Sequence, residues 1–147
     1  MSDLVANAQR MLKLFEQMRD VRHGSAFGQI KRLNLSFSHM RTLHLLAPDN
    51  VLSMKELAEQ LHLTAPSVTM LIRHLIHINL VQRSQHADDS RVSLVSLTQS
   101  GRELYAQLTQ EHTERMATLL RGLSADEQTQ FLDLLERAVH AMQNDRD

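Results

Sequence analysis

Residues 63–97 read LTAPSVTMLIRHLIHINLVQRSQHADDSRVSLVSL, and they carry the most specific structural signals in the chain. Thr64 is a favourable N-cap residue, and Pro66 falls in the first helical turn, where a missing N–H costs nothing. Asn79 is the non-glycine residue that best tolerates the left-handed conformation at a helix end. The stretch therefore predicts a helix over 65–78, whose buried stripe comprises Val68, Leu71, Ile72, Leu75 and Ile78.

The second half of the stretch predicts a β-hairpin. Residues 80–84 predict one short strand, and residues 92–97, with Val92, Leu94, Val95 and Leu97 apolar, predict another; the largely polar residues 85–91 join them. Arg91 stands at the tip, and an arginine projecting beside a helix can enter the minor groove of DNA, whose negative potential attracts it. Asp89 is placed to hold that guanidinium in a bidentate pair. Taken alone, the loop also fits a solvated turn with an incidental ion pair.

Capping signals place helices before this unit. Apolar residues recur at helical spacing over about 3–20, and a helix from about Ser36 ends before Pro48. Ser53 and Glu56 form a capping box that starts a short helix. The sequence thus predicts three helices ahead of the helix at 65–78, with Gly24 and Gly28 expected to loosen the chain between the first two.

Two long helices are predicted after the hairpin. Thr98 caps one that runs to about Arg121, and Gly122 breaks it. Ser124 and Glu127 form a second capping box for the last helix. The first helix and the last two carry apolar stripes with little small-domain core to cover, which indicates burial against a second copy of the chain in a homodimer.

The fold class that follows is mainly α with a small β-hairpin wing. A winged helix-turn-helix domain is expected at 35–97, and a helical dimerisation region at 1–34 and 98–147.

Composition excludes several classes of protein. The 147 residues contain no cysteine, which excludes disulfides, thiol catalysis and thiolate metal sites. No run of eighteen apolar residues occurs, and the N-terminus lacks the pattern of a signal peptide, so a cytoplasmic protein without a membrane span is expected. The net charge is −1, so any binding to nucleic acid must come from local placement of cations or from doubling the site in a dimer.

The outward face of the helix at 65–78 is the first candidate binding surface. With the apolar stripe buried, the side chains expected to point elsewhere are Ser67, Met70, Arg73, His74 and His77. Small residues near the helix N-terminus let the backbone approach a groove, and the unpaired N–H groups there favour phosphate. Arg73 can donate to guanine or to phosphate. An ordinary surface helix with a capped start explains the same residues.

The segment from Ser53 to Leu104 closely resembles the MarR-type family of bacterial transcriptional regulators. The resemblance rests on six pieces in register: LAEQL at 57–61, LTAPSVT at 63–69, the spacing of Leu71, Ile72 and Leu75, N-L-V-x-R at 79–83, D-x-R at 89–91 and L-T-x-S-G at 97–101. Each piece alone is weak, whereas six in register are specific. The flanking helices agree with the family in number, order and length.

The resemblance implies a dimeric winged-helix protein that places its recognition helix in the major groove and its wing arginine in the minor groove of double-stranded DNA. By this resemblance Ser67 and Thr69 contact the groove, Arg91 is the wing arginine and Asp89 orients it, while Lys55 meets phosphate. The expected DNA-binding set is Lys55, Thr64, Pro66, Ser67, Thr69, Met70, Arg73, His74, Asp89 and Arg91. The expected target is a short inverted repeat with half-sites about one turn (~34 Å) apart.

Three residues depart from the family pattern. Met70 stands where an arginine is common, His74 where a basic residue is usual, and Asn79 where glycine is usual. Met70 removes a charge and a donor fork, so the base preference at that position is open.

The resemblance also implies a small-molecule site between the dimerisation helices and the winged helix, with repression relieved by the ligand. The candidate lining is Phe15, Arg19, His23, Phe27, His39, Met40, Leu43, Tyr105, Leu108 and His112. An arginine or a histidine there suits a phenol or a carboxylate. Methionine and phenylalanine at this spacing equally fit an ordinary core.

Three other functions are weighed against DNA binding. The family includes zinc sensors, and His39 with His112 and Glu16 or Glu111 would be the nearest set here; zinc needs three or four ligands, and neither a metal nor a cofactor is expected. An enzyme is disfavoured because the chain lacks a Gly-rich phosphate loop, a cysteine and a nucleophile elbow. A dimeric winged-helix protein that has lost DNA binding and serves as an interaction module remains an alternative.

Overall fold

The computed structural model describes residues 2–19 and 24–144. Its helices are α1 Ser2–Arg19, α2 Ser25–Arg32, α3 Phe37–Leu46, α4 Met54–Leu61, α5 Ala65–His77, α6 Gln99–Leu120 and α7 Ala125–Asn144. Its strands are β1 Leu52–Ser53, β2 Val81–Gln85 and β3 Ser93–Leu97. The predicted class, mainly helical with a small β-wing, is confirmed. The chain divides into two compact units, one up to Tyr105 and one from Ala106.

Local hydrogen bonds begin the helices where the sequence predicts them. Ser53 and Glu56 bond reciprocally, with the backbone N–H of Ser53 donating to Glu56 Oε2 at 2.7 Å. Accepting that bond lowers the pKa of the Glu56 carboxyl. Thr64 accepts from the backbone of Ser67, and Pro66 follows inside the first turn of α5. Asn79 adopts the predicted left-handed conformation, with φ of 59°.

The sheet has three antiparallel strands in the order β1–β3–β2. The hairpin of β2 and β3 pairs Val81 with Leu97 and Gln85 with Ser93. The short strand β1 was not predicted from the sequence, and it pairs Leu52 with Val95 on the other side of β3. Its two residues carry no periodicity of their own, so only the pairing with β3 defines it.

The core of the first unit lies among α3, α4, α5 and the sheet. Its fully buried side chains include Leu43, Leu46, Leu57, Val68, Ile72, Leu75, Val81, Val95 and Leu97. Four of the five residues predicted for the inner stripe of α5 are buried, and Ile78, beyond the last turn, is half-buried. Burial of one stripe fixes which side chains of α5 face outward.

The region around Gly28 differs from the expectation. Gly28 lies inside the helix α2 instead of loosening the chain, and its backbone N–H bonds the carbonyl of Gly24 at 3.4 Å. Helix α2 is short and ends with Lys31 and Arg32, cations that favour a helix C-terminus. A single glycine therefore costs this helix stability without breaking it.

The second unit holds most of α6 together with α7. Ser124 and Glu127 form the predicted capping box, with the backbone of Ser124 donating to Glu127 Oε2 at 2.8 Å. The amide of Gln128 donates to the carbonyls of Leu120 and Leu123 and so ties the two helices together at their turn. Within the described residues, no helix is long and apolar enough to cross a membrane.

Candidate nucleic-acid interface

The N-terminal half of α5 presents a small, internally bonded surface. The hydroxyl oxygens of Thr64 and Ser67 lie 2.9 Å apart, and Thr64 Oγ1 also accepts from the backbone of Ser67 at 3.4 Å. Thr69 Oγ1 donates to the carbonyl of Ala65 at 3.0 Å. These bonds favour one rotamer for each of the three hydroxyl side chains, so the exposed edge of the helix has a defined shape.

Two longer side chains project from the same helix. Met70 is 72% exposed, and Arg73 is also exposed. Pro66, Ser67, Met70 and Arg73 share one face because residues three and four apart in a helix are neighbours. This face of α5 combines small residues, one apolar side chain and one cation.

His74 does not point outward as the sequence analysis expected. It is half-buried, its Nε2 donates to the carbonyl of Leu33 at 3.1 Å, and its ring meets His39 edge-on with centroids 4.9 Å apart. The inner stripe of α5 is therefore wider than the aliphatic residues alone indicate. His74 therefore joins α5 to the end of α2 and to α3, and it is not part of the outward face of α5.

His39 is held in one tautomer by its neighbours. The backbone N–H of Ser36 donates to His39 Nδ1 at 3.1 Å, and the hydroxyl of Ser36 lies 2.7 Å from the same atom. A backbone amide can only donate, so Nδ1 carries no proton and the ring is neutral. Burial, together with the nearby His74, lowers the pKa of His39. Histidine thus replaces the usual Glu or Gln of a capping box at the start of α3.

The tip of the wing presents the exposed cation of Arg91. The Arg91 side chain is 91% exposed, and its Nε lies 3.3 Å from Asp89 Oδ1. The same carboxylate oxygen accepts the backbone N–H of Arg91 at 3.0 Å. The predicted pairing of the two residues is present, but it uses Nε and the backbone instead of a bidentate fork. The terminal guanidinium nitrogens are consequently left to face outward.

Hydrogen bonds within the loop hold the wing tip in shape. His86 donates its backbone N–H to Val92, and Val92 donates to the carbonyl of Asp89, both at 3.0 Å. The backbone of Asp88 donates to His86 Nδ1 at 3.1 Å. A tip held by its own bonds loses less conformational entropy on binding a partner.

A cleft of about 380 Å³ lies between α4, α5 and β2. Its lining comprises Met54, Lys55, Ala58, Ala65, Thr69 and Arg83. Lys55 and Thr69 were predicted site residues, whereas Arg83, whose Nη2 lies 3.8 Å from Met54 Sδ, was not. Strand alternation could have found it, because Arg83 lies two residues after the buried Val81 and so on the same face of the hairpin. The two cations make this cleft attractive to phosphate.

The residues predicted to line an effector site lie in several different parts of the structure. Leu43 is fully buried in the core, Phe15 is 54% exposed on α1, and Tyr105 OH lies 2.8 Å from His44 Nδ1. The remaining candidates with described side chains are half-buried Phe27 and Met40, buried Leu108 and exposed His112. His23 and the side chain of Arg19 lie outside the described residues. His39, as shown above, caps α3 and contacts His74.

The described part of the chain contains no cluster of side chains that could bind a metal ion. Across residues 2–19 and 24–144, no three side chains of His, Asp or Glu come close enough to hold one ion. Among the paired histidines, His39 and His74 direct their bonds to Ser36 and to the carbonyl of Leu33.

Comparison with known proteins places this geometry in a family. Residues 35–93 match the MarR family. The chain is similar to the uncharacterized HTH-type transcriptional regulator YdgJ of Bacillus subtilis (strain 168), with 28% identity over 110 residues, 75% of this chain and 67% of that protein.

Solved structures agree with the fold along nearly the whole chain. YusO from Bacillus subtilis aligns with a TM-score of 0.78 and 22% identity, covering 96% of this chain and 98% of that one. The F27L mutant of S. aureus MepR bound to an oligodeoxyribonucleotide aligns with a TM-score of 0.64 and 26% identity, covering 94% and 97%. Helix α5 and most of the wing lie within residues 35–93, the part of the chain that matches the MarR family, and the similar protein YdgJ is an HTH-type transcriptional regulator.

Proposed function

We propose that this regulator is a cytoplasmic homodimer that binds double-stranded DNA in a sequence-specific manner, with α5 in the major groove and the wing in the adjacent minor groove. The observation that carries the proposal is Arg91, which is 91% exposed at the tip of a hairpin and oriented by Asp89. A narrow minor groove attracts such an arginine through its negative potential. The similar protein MepR of S. aureus is bound to an oligodeoxyribonucleotide in one solved structure, which supports DNA binding by this fold.

The charge distribution sets the character of the binding. The chain as a whole carries −1, so long-range attraction to DNA is weak, while Lys55, Arg73, Arg83 and Arg91 are all exposed on the helix, cleft and wing. Each cation that meets phosphate releases a counterion, and affinity falls with salt in proportion to the number released. We therefore expect modest, strongly salt-dependent affinity that rises when two subunits bind one inverted repeat, with half-sites about 34 Å apart.

Arg91→Ala tests the proposal. Fluorescence anisotropy would measure binding to a duplex from the upstream region of the gene and to a random duplex, over a series of salt concentrations. Removing one phosphate or groove cation per subunit should lower the salt slope by about 2 in a dimer. Arg137→Ala, which removes the same charge from exposed α7, is the matched control and should leave the slope unchanged.

Two outcomes contradict the proposal. The chain has no sequence preference if wild-type protein binds the upstream duplex no better than random DNA at moderate salt. The wing is not a DNA element if Arg91→Ala and Arg137→Ala behave alike. Either result would favour the interaction-module alternative.

Dimerisation is supported by uncovered apolar faces on the terminal helices. On α1 the exposed side chains include Leu4, Leu12 and Phe15, and on α7 they include Leu134, Leu135, Val139 and Met142. Each set recurs at helical spacing, and contiguous apolar surface of this kind is characteristic of an interface. A second copy of the chain is the partner that carries the same faces.

Leu135→Glu tests the dimer by size-exclusion chromatography with light scattering. The side chain is 46% exposed, so the variant should keep its helical content while its mass falls to that of a monomer. Gln130→Glu adds the same charge on another side of α7 and should remain dimeric. A dimer that survives Leu135→Glu would place the interface elsewhere.

An effector that relieves repression completes the proposal. Tyr105 and His44 offer a hydroxyl and an imidazole that suit a small phenol or carboxylate, and half-buried Met40 and Phe27 supply apolar surface within the same unit. The probe is 4-hydroxybenzoate, which carries both groups. It should release DNA in the anisotropy assay from wild-type protein and more weakly from Tyr105→Phe; release of equal strength from both would remove Tyr105 from the site.

A further inference from the structure

Met70 has an unusual place for an exposed apolar side chain. It is 72% exposed, and it lies between Ser67 and Arg73 on the outward face of α5. A single exposed apolar residue needs no explanation in general. Here, however, it is the longest side chain on the first two turns of a helix proposed to enter the major groove, so what it meets there affects recognition.

Most hydroxyl donors around Met70 are engaged inside the helix. One hydroxyl of the pair Thr64 and Ser67 donates to the other, and the hydroxyl of Thr69 donates to the carbonyl of Ala65. Pro66 has no N–H to donate. The first two turns therefore offer few free donors to base edges, and the guanidinium of Arg73 comes only a further turn along.

The chemistry of the major groove supplies one apolar partner. Each base pair shows donors and acceptors there, and thymine alone adds a C5-methyl group. A flexible thioether fits such a methyl without needing fixed geometry. We propose that Met70 is a specificity-determining residue that selects thymine in each half-site by contact with its C5-methyl. The inference rests on the proposed DNA binding of α5.

The experiment begins with the full-length protein and a pool of random duplexes, from which bound sequences are selected at moderate salt. The selected duplex is then made twice, once with thymine and once with deoxyuridine at every thymine, which removes only the methyl groups. Loss of one buried methyl contact should weaken binding about fourfold, and loss from two half-sites about 15-fold.

Variants of Met70 assign the effect to its side chain. Met70→Ala should bind the thymine and deoxyuridine duplexes equally, while Met70→Leu, which keeps an apolar side chain, should retain most of the discrimination. Ile76→Ala is the control, because Ile76 is 39% exposed on the same helix but lies about 120° around its axis. The control should discriminate as the wild type does.

Each outcome decides the inference. Equal binding of both duplexes by wild-type protein overturns it while leaving the proposed function intact, as does discrimination that persists in Met70→Ala. Failure to select any sequence from the pool overturns the proposed function and the role of Met70 together.

Discussion

The joint between the hairpin and α6 provides the sharpest test of the packing. Gly101 lies in the first turn of α6, and a Cβ added there would overlap the carbonyl oxygen of Leu80 and lie 3.0 Å from its carbonyl carbon. The Cβ would also lie 3.3 Å from Leu97 Cδ2. The obstacle is backbone that already accepts the N–H of Thr98 at 3.1 Å, so it cannot swing aside as a flexible side chain would.

The magnitude follows from these contacts. Forcing extra volume into a closed site costs about 1–3 kcal/mol, and the backbone clash places Gly101→Ala at the upper end. Displacing Leu80 also weakens its bond from Thr98, worth about 1 kcal/mol, while alanine returns up to about 1 kcal/mol of helix propensity. We expect a net loss of about 3 kcal/mol in the free energy of unfolding, or a Tm lower by about 10 °C.

Gly28→Ala is the matched control with the opposite sign. No heavy atom lies within 4 Å of a Cβ built at Gly28, which is inside α2. The same substitution there should stabilise the protein by up to about 1 kcal/mol through helix propensity. Urea unfolding followed by helical circular dichroism measures both variants, at one fixed protein concentration because dimerisation shifts apparent stability. A loss below about 1 kcal/mol for Gly101→Ala, or equal effects of the two substitutions, would refute the packing argument.

Three further predictions concern helix ends and the half-buried His39. Ser53→Ala removes the N-cap of α4 and should lower the free energy of unfolding, measured in urea, by about 1 kcal/mol. The control Gln60→Ala changes a residue of the same helix that is not a cap, and it should cause no loss. Asn79→Gly should raise stability by about 0.5 kcal/mol, because glycine adopts the observed φ of 59° without strain; a loss would show that the asparagine side chain matters. His39 has a lowered pKa, so the unfolded chain binds more protons than the folded one just below the ordinary value of 6.5, and stability falls as the pH drops through that range. His39→Gln keeps an acceptor at the capping position but does not titrate, so between about pH 7.5 and 5.5 it should lose less stability than wild type; equal losses would contradict the role of His39.

The features predicted well from the sequence are those fixed by neighbours in the chain. A capping box joins residues three apart, so Ser53 with Glu56 and Ser124 with Glu127 were visible as patterns and are present as bonds. The left-handed conformation of Asn79 likewise depends on one residue and its place after a helix. Local chemistry of this kind can be deduced without knowledge of the tertiary structure.

The features that escaped prediction depend on distant partners. Strand β1 forms by pairing with the edge of β3. His74 points inward because it contacts Leu33 and His39, which lie 41 and 35 positions earlier in the chain but close in space. The helical pattern of α5 alone assigns His74 to the polar face, because the pattern does not include the carbonyl of Leu33 that accepts its N–H. For Arg83, strand alternation indicates the face of the hairpin, but the cleft that it lines is built from α4, α5 and β2 together and cannot be deduced from one strand.

The junction at Asn79 and Leu80 explains how α5 and the wing keep a fixed spacing. Leu80 donates its N–H to Leu75 at the end of α5 and accepts from Thr98 at the end of β3. The hydroxyl of Thr98 donates to the carbonyl of Asn79 at 2.6 Å and accepts from the backbone of Gly101 at 3.0 Å. The end of the helix, both hairpin strands and the start of α6 therefore meet at one point. Because reading two adjacent grooves requires α5 and Arg91 to keep their separation, disturbing this point should weaken DNA binding even at temperatures where the chain stays folded.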